Sequence, residues 1–477
     1  MTTNKKLPKY RQIVDYMKEK IENGEWPIGS KIPSQRQLAK LFQVNRSTVI
    51  TALDELMADG LIQGKIGAGT IVTNNTWSLL ATNPPPDWSE YVMSGIHKPS
   101  KLMVRDINEA EANKTLIHLS KGELAPQLFP LETMQFIMKS VSDGLDYFGY
   151  EEQKGFLPLR EAISNYVKSF GIHASAGSIL IVSGALQALQ LISIGLLHRE
   201  SIVLLEQPSY LYSLHVFQSA NINLAGICMD HHGILPNELL KRIKYSQKKN
   251  ILYSIPCFQN PTGILMSQER RKEILKICEK EQLPIIEDDI YRELWIDEPP
   301  PAPLKSIDKH GHVLYVGSLS KTLTPGLRIG WIIGPEPVID RLSDIKMQTD
   351  YGSSSLSQRV AAEWIHKGFY GEHVANVRIQ LKERRQIMIR ALNKYCADVA
   401  SWDIPTGGFF IWLKIVPSIS MKKLFSEALS KGILLNPGRI YEEESDQHIR
   451  LSYGYASPEQ MTNGIKLLGE LIRKLMT

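Results

Sequence analysis

A chain of 477 residues with 43% hydrophobic and 22% charged residues is too long for one compact unit and too apolar for wholesale disorder, so two or three globular domains are expected. The net charge of +5 is unevenly placed: residues 1–75 hold eleven Lys and Arg against seven Asp and Glu, a basic head on a nearly neutral body, and a polyanion is expected as partner of the head alone. The four cysteines form no CxxC pair and accompany no histidine cluster, and no apolar run follows the basic start; a reduced, cytoplasmic protein with no metal and no membrane span is the expectation.

In the head, Tyr10, Ile13, Val14, Met17 and Ile21 recur at helical spacing until Gly24 ends the pattern. Ser34 with Gln37 three residues on forms a capping box that opens a short second helix through Leu38, Ala39, Leu41 and Phe42. Gln43-Val44 make a turn, Asn45 caps a third helix, and Val49, Ala52, Leu53 and Leu56 line its buried stripe before Gly60. Two short helices joined by a tight turn are a helix-turn-helix. Its third helix presents Arg46, Ser47 and Thr48 at the end that meets base edges in a major groove. Leu61-Ile62-Gln63 and Thr70-Ile71-Val72 then flank Gly64-Lys65-Ile66-Gly67-Ala68-Gly69, a basic glycine-rich wing. Taken alone, the pattern also suits a small helical protein-interaction module.

The succession Pro33-Ser34-x-Arg36-x-Leu38-Ala39, Asn45-Arg46-x-Thr48-Val49, Leu53-x-x-Leu56 and Gly60-Leu61-Ile62 resembles the GntR-type winged helix. That resemblance implies an α+β winged helix-turn-helix over residues 1–74 that binds double-stranded operator DNA. Arg36, Arg46, Ser47, Thr48 and Lys65 are its contact candidates, with phosphate contact the safer role for Arg36 and Lys65. Residues 75–114 contain Asn83-Pro84-Pro85-Pro86, show no sustained periodicity and are expected to be a linker.

Past the linker, residues 179–182, 202–205, 250–254, 284–287, 313–316 and 329–333 are strand candidates separated by helical patterns, so an α/β domain with a largely parallel sheet is expected. Residues 179–197 hold no charge and approach membrane-spanning length, but Ser183, Gly184, Gln187, Gln190, Ser193 and Gly195 interrupt them and favour strand, turn and helix. Ligand groups are then expected at strand ends. Gly184, Ala185 and Leu186 open a helix whose amides suit a phosphate. Tyr210, Asn260, Asp288 and Tyr291 each follow a strand. Lys321 ends Gly317-Ser318-Leu319-Ser320-Lys321, with Arg328 seven residues on: an amine able to form a Schiff base, beside two hydroxyls and a planar cation that suit a phosphate. A solvated loop lysine is the plain alternative.

The spacings Asn260–Asp288–Lys321–Arg328 resemble the class I/II aminotransferases of fold type I over residues 115–477. Joined to the GntR-like head, the chain resembles the MocR/GabR family of transcriptional regulators. The resemblance implies a large α/β domain near residues 140–340 and a smaller α+β subdomain of residues 341–477 plus 115–139. It implies pyridoxal 5′-phosphate held as an aldimine of Lys321, with Asp288 on the ring nitrogen and Asn260 and Tyr291 on the phenolic oxygen. Tyr210 would stack on the ring, and Ser318, Ser320, Arg328 and the Gly184 turn would take the phosphate. Tyr150, in a Tyr-x4-Gly-x3-Leu-Arg pattern by this likeness, would reach the partner's cofactor phosphate in a homodimer, and Arg450 in His448-Ile449-Arg450-Leu451-Ser452 would anchor a carboxylate. A regulator sensing an amino acid, an amine or the cofactor is the expected function; a working aminotransferase with an appended head is the alternative. Members that sense γ-aminobutyrate carry an arginine shortly after the stacking tyrosine; Leu211 and Tyr212 stand there, which argues against that effector.

Overall fold

The computed structural model describes residues 8–65, 69–74, 88–95, 97, 99–245 and 249–476, and the chain divides into two compact units, Met1–Ile96 and His97–Thr477. In the first, α1 (Lys9–Glu22), α2 (Gln35–Phe42) and α3 (Arg46–Ala58) precede an antiparallel hairpin of β1 (Ile62–Lys65) and β2 (Gly69–Val72). The apolar positions spaced three and four apart bury one stripe of each helix: Ile13, Val14, Met17 and Ile21 of α1 meet Leu38 of α2 and Val49, Ala52, Leu53 and Leu56 of α3. The Ser34 and Gln37 capping box forms as expected, with Ser34 N donating to Gln37 Oε1 at 2.8 Å. Asn45 does occupy the N-cap of α3, but its side chain makes no capping bond. Residues 66–68 of the expected wing tip, the Lys65 side chain and the proline run 84–86 lie outside the described residues.

The stretch expected to be a linker contains α4 (Trp88–Ser94) and α5 (Leu102–Glu111). α5 buries only Val104 and Ile107, too few apolar positions to announce a helix by periodicity. Beyond it lies β3 (Ile117–His118).

The large sheet of the second unit is built, in chain order, from β4 (Ile179–Val182), β5 (Ile202–Gln207), β6 (Asn223–Asp230), β7 (Gly233–Ile234), β8 (Asn250–Ser254), β9 (Ile285–Asp288), β10 (Val313–Ser318) and β11 (Gly330–Ile333). Their spatial order is β4-β11-β10-β9-β8-β5-β6-β7. The run β6-β5-β8-β9-β10 is parallel, and β11 lies antiparallel between β10 and β4. Strands β4, β9 and β10 are buried along their whole length; β4 and the first four residues of β10 read as continuous apolar runs, whereas β9 carries the carboxylates of Glu287 and Asp288 into the interior. β6 was not foreseen because Gly226 breaks its apolar run, at a point where the Gln207 side chain and the Tyr212 hydroxyl crowd in. The uncharged stretch after residue 178 forms β4, a turn at Gly184 and a helix Ala185–Gly195, and no helix among the described residues is long and apolar enough to cross a membrane.

A second, antiparallel sheet holds β12 (Ala400–Trp402), β13 (Phe410–Ile415), β15 (Asn436–Pro437) and β16 (His448–Ser452), with β16 between β13 and β15. β14 (Ile433–Leu434) pairs in parallel with β3, setting Ile117 beside Ile433.

Candidate functional site

The C-terminal ends of β5, β8, β9 and β10 share one edge of the large sheet, where backbone groups and loops converge. Lys321 lies three residues past β10, and its Nζ donates to the main-chain oxygen of Gly122 at 2.7 Å. Burial, reinforced by the nearby Arg450 charge, lowers its pKa to about 8. Asp288 closes β9; Tyr253 Oη donates to its Oδ2 at 2.7 Å, while Oδ1 is buried with no hydrogen-bond partner among the described residues. Burial raises the Asp288 pKa to about 6, opposed by the Tyr253 hydrogen bond.

Asn260 ties three further groups together. Its Nδ2 donates to Tyr291 Oη at 3.3 Å, its main-chain oxygen accepts from Tyr210 N at 3.1 Å, and its Oδ1 accepts from Arg450 Nη1 at 2.8 Å. Burial pushes the phenols of Tyr210 and Tyr291 up, so both remain hydroxyl donors. Arg450 stands in the middle of β16, opposite Trp412 of β13 and Asn436 of β15, and is 5% exposed. Its Nη2 donates to Ser120 O at 2.7 Å, its guanidinium lies 4.1 Å from the centre of the Phe410 ring, and its Nε has no partner among the described residues.

The groups expected to hold an anion lie together at the Gly184 turn. Gly184 has φ +86°, and a Cβ there would come 2.6 Å from Arg328 Nη2, so glycine is needed both for the turn and for the approach of the guanidinium. Arg328 Nη2 donates to Ser183 O at 3.0 Å, and its Nη1 lies 3.5 Å from Ser320 Oγ. Two of the expected groups already have partners here. The Gly184 amide turns back to Val182 O at 2.9 Å, so Ala185 and Leu186 supply the open amides of this helix start. Ser318 is buried as the last residue of β10 and its Oγ donates to Ile329 O at 2.9 Å, which leaves Ser320 as the hydroxyl beside Arg328.

Tyr150 is not brought to Lys321 within one chain. It is 79% exposed, with its ring 5.2 Å from that of Tyr351, and both line a cavity of about 510 Å³ that also includes Ser353. Ser353 Oγ lies 3.2 Å from Ser183 Oγ, which places this cavity next to the Gly184 turn.

In the head, Arg36, Arg46 and Ser47 are exposed and Thr48 is half-buried. Arg46 Nε donates to Gln35 Oε1 at 2.8 Å, joining the first residues of α2 and α3 and leaving both Nη groups without a partner among the described residues. Gln35 was not singled out from the sequence, and neither were Tyr253, Ser120 or Gly122. A tyrosine inside an apolar strand reads as core, and main-chain oxygens leave no trace in residue types.

Residues 9–72 match the family described as bacterial regulatory proteins, gntR family, and residues 114–468 match aminotransferase class I and II. The uncharacterized HTH-type transcriptional regulator YdfD of Bacillus subtilis (strain 168) is 66% identical over 471 residues, covering 99% of this chain and 98% of its own. The HTH-type transcriptional regulator NorG of Staphylococcus aureus (strain N315) is 37% identical, covering 93% of this chain and all (100%) of its own. The crystal structure of Pyrococcus horikoshii kynurenine aminotransferase, in complex with PMP, superposes with a TM-score of 0.75 at 31% identity, covering 80% of this chain and 96% of that one.

Proposed function

The chain belongs to the HTH-type transcriptional regulators that join a GntR-family head to a class I and II aminotransferase domain, and on that premise we propose that its body senses an amino acid, an amine or the cofactor itself and alters how paired heads engage operator DNA. Its cofactor is pyridoxal 5′-phosphate. When bound, this group supplies an aldehyde that condenses with amines and a pyridine ring that withdraws electrons.

The residues present fit it. The buried, unpartnered Oδ1 of Asp288 is the observation that carries the reading: an orphaned carboxylate oxygen is costly unless a donor arrives, and a protonated ring nitrogen is such a donor. Lys321, with its pKa near 8, offers a substantial neutral fraction as the nucleophilic amine. Asn260 and Tyr291 donate to the phenolic oxygen, Tyr210 flanks the ring, and the amides of Ala185 and Leu186 join Ser320 and Arg328 around the phosphate, with Ser318 supporting Ser320. Arg450 pairs with an effector carboxylate, for which its unpartnered Nε is open. In a homodimer, the exposed Tyr150 of each chain serves its partner's phosphate. Arg46 reads a base edge, while Arg36, Ser47, Thr48 and Lys65 hold the duplex.

A working aminotransferase is the second reading, favoured by the Lys321 pKa, which suits proton exchange near neutrality. One experiment separates the two. Operator binding by cofactor-loaded protein is measured across a panel of amino acids, with keto-acid formation followed in the same samples. An amino acid that changes operator affinity without multiple turnovers supports the sensor; steady turnover with unchanged operator affinity refutes it.

A further inference from the structure

A buried cation is tied to the Gly184 turn. Lys346, in the helix Glu336–Thr349, is 1% exposed. Its Nζ donates to Gln187 Oε1 at 2.8 Å and to both carboxylate oxygens of Asp350, at 2.9 and 2.7 Å, so all three ammonium hydrogens are used. Gln187, in the first turn of the helix Ala185–Gly195, is the bridge. Its Oε1 also accepts from Ser183 N at 2.7 Å, and its Nε2 donates to Asp350 Oδ2 at 2.5 Å. Two donors on one side and a carboxylate on the other fix the orientation of this amide. Ser183 is thereby pinned at its nitrogen, while its main-chain oxygen accepts from Arg328 Nη2 at 3.0 Å and its Oγ lies 3.2 Å from Ser353 Oγ.

Asp350 carries the connection in the other direction. Its Oδ1 accepts from Gly352 N at 3.0 Å, closing a turn in which Tyr351 is held at φ +59°. A tyrosine in the left-handed region is strained and persists only where its surroundings hold it there. The ring of that residue is the one beside Tyr150. Lys346 is therefore the junction between the turn that offers amides to an anion and the turn that walls the neighbouring cavity.

We propose that Lys346 is a positioning residue for the cofactor phosphate: through Gln187 it sets the Ser183-Gly184 turn, and through Asp350 it joins that turn to residues 350–353, so that the phosphate seat and the Tyr351 wall tighten and loosen together. This rests on the cofactor reading above. Asp350 neutralises the ammonium at hydrogen-bond distance, so what Lys346 contributes is geometry rather than a general positive field.

The test compares pyridoxal 5′-phosphate with pyridoxal, which lacks the phosphate, on the full chain. Lys346→Met keeps the length of the side chain and removes its donors; it should weaken pyridoxal 5′-phosphate binding at least about fivefold while pyridoxal affinity changes by less than about twofold. The double variant Lys346→Met with Asp350→Asn removes one charge of each sign, leaves the net charge unchanged, and should show the same phosphate-selective loss. An unaltered ratio of the two affinities in the single variant overturns the proposal, and so does recovery of the normal ratio in the double variant, which would make the effect one of charge alone. In the unaltered chain, which needs no variant to fold, pyridoxal 5′-phosphate should slow amide hydrogen exchange in residues 183–187 and 350–353 together, and more than pyridoxal does. Protection of the first stretch alone, or equal protection by both compounds, overturns the proposal and leaves the cofactor reading intact. Failure of both compounds to bind the unaltered chain overturns both.

Discussion

Replacing Asp288 by Asn tests the electrostatics of the site before any ligand arrives. Asp288 is 4% exposed and titrates at about 6 against an ordinary 3.8. An acid whose folded pKa is raised weakens the fold as it ionises: the cost is absent below the unfolded value, grows as pH rises through the interval, and is complete above the folded value. A rise of that size corresponds to roughly 3 kcal/mol. Asn keeps an oxygen to accept from Tyr253 Oη and carries no charge, so Asp288→Asn should stabilise the cofactor-free protein by about 1–3 kcal/mol near pH 7.5, with the advantage fading towards pH 4. The cofactor reverses the ranking, because the variant lacks the anion that pairs with the ring nitrogen; affinity at least about tenfold weaker removes ~1.4 kcal/mol of ligand stabilisation. Unfolding of the body is followed at several pH values with and without pyridoxal 5′-phosphate. A variant less stable than the unaltered protein at neutral pH without cofactor, or an advantage that does not change with pH, would refute the reasoning.

Other substitutions probe the remaining contacts. Lys321→Ala should abolish the visible absorption of lysine-linked cofactor while leaving phosphate-dependent binding, and in the unaltered chain that absorption should form faster as pH rises through about 8, where the amine loses its proton; an unchanged spectrum removes Lys321 from its role. Arg46→Ala should lower specific operator affinity by ~1–3 kcal/mol, and Gln35→Ala should lower it by less while leaving non-specific binding intact; equal binding by all three proteins in a competition assay counts against both residues. Gly184→Ala forces a side chain into positive φ and against Arg328, so cofactor affinity measured by titration should fall at least about tenfold; an unchanged affinity would show that the turn does not hold the phosphate.

Much of this molecule is legible in its sequence because burial writes itself into residue type. The head's helices follow from stripes such as Ile13, Val14, Met17 and Ile21, and β4, β9 and β10 follow from runs buried on both faces. The placement of Asp288 and Lys321 at the ends of β9 and β10, and of Arg328 in the turn before β11, is legible in the motif spacing. What sequence does not carry is direction. Nothing in Ser318-Leu319-Ser320 says that the first hydroxyl turns to Ile329 O and that the second lies beside Arg328. The carbonyls of Ser120 and Gly122 are invisible for the same reason, and α5 escapes because a short helix with two buried residues resembles a coil.

A sensor needs a ligand that binds two states unequally, and the contacts at this site indicate where that difference arises. Lys321 Nζ and Arg450 Nη2 donate to main-chain oxygens of one segment, Gly122 and Ser120, both at 2.7 Å. Each is a hydrogen bond to a charged donor, of the class that contributes about 1.5–3 kcal/mol, so neither is given up freely. On the proposed reading, the cofactor aldehyde claims Lys321 and an effector carboxylate claims Arg450, and both carbonyls are released from the same short stretch. Exchange of that size spans the 1–3 kcal/mol typical of coupling between distant sites. An amine lacking a carboxylate engages only the first contact, and should therefore shift operator binding less than its amino acid counterpart. A comparison of an amino acid with its decarboxylated amine in the operator assay decides this: equal shifts would place the coupling elsewhere than at Arg450 and Ser120.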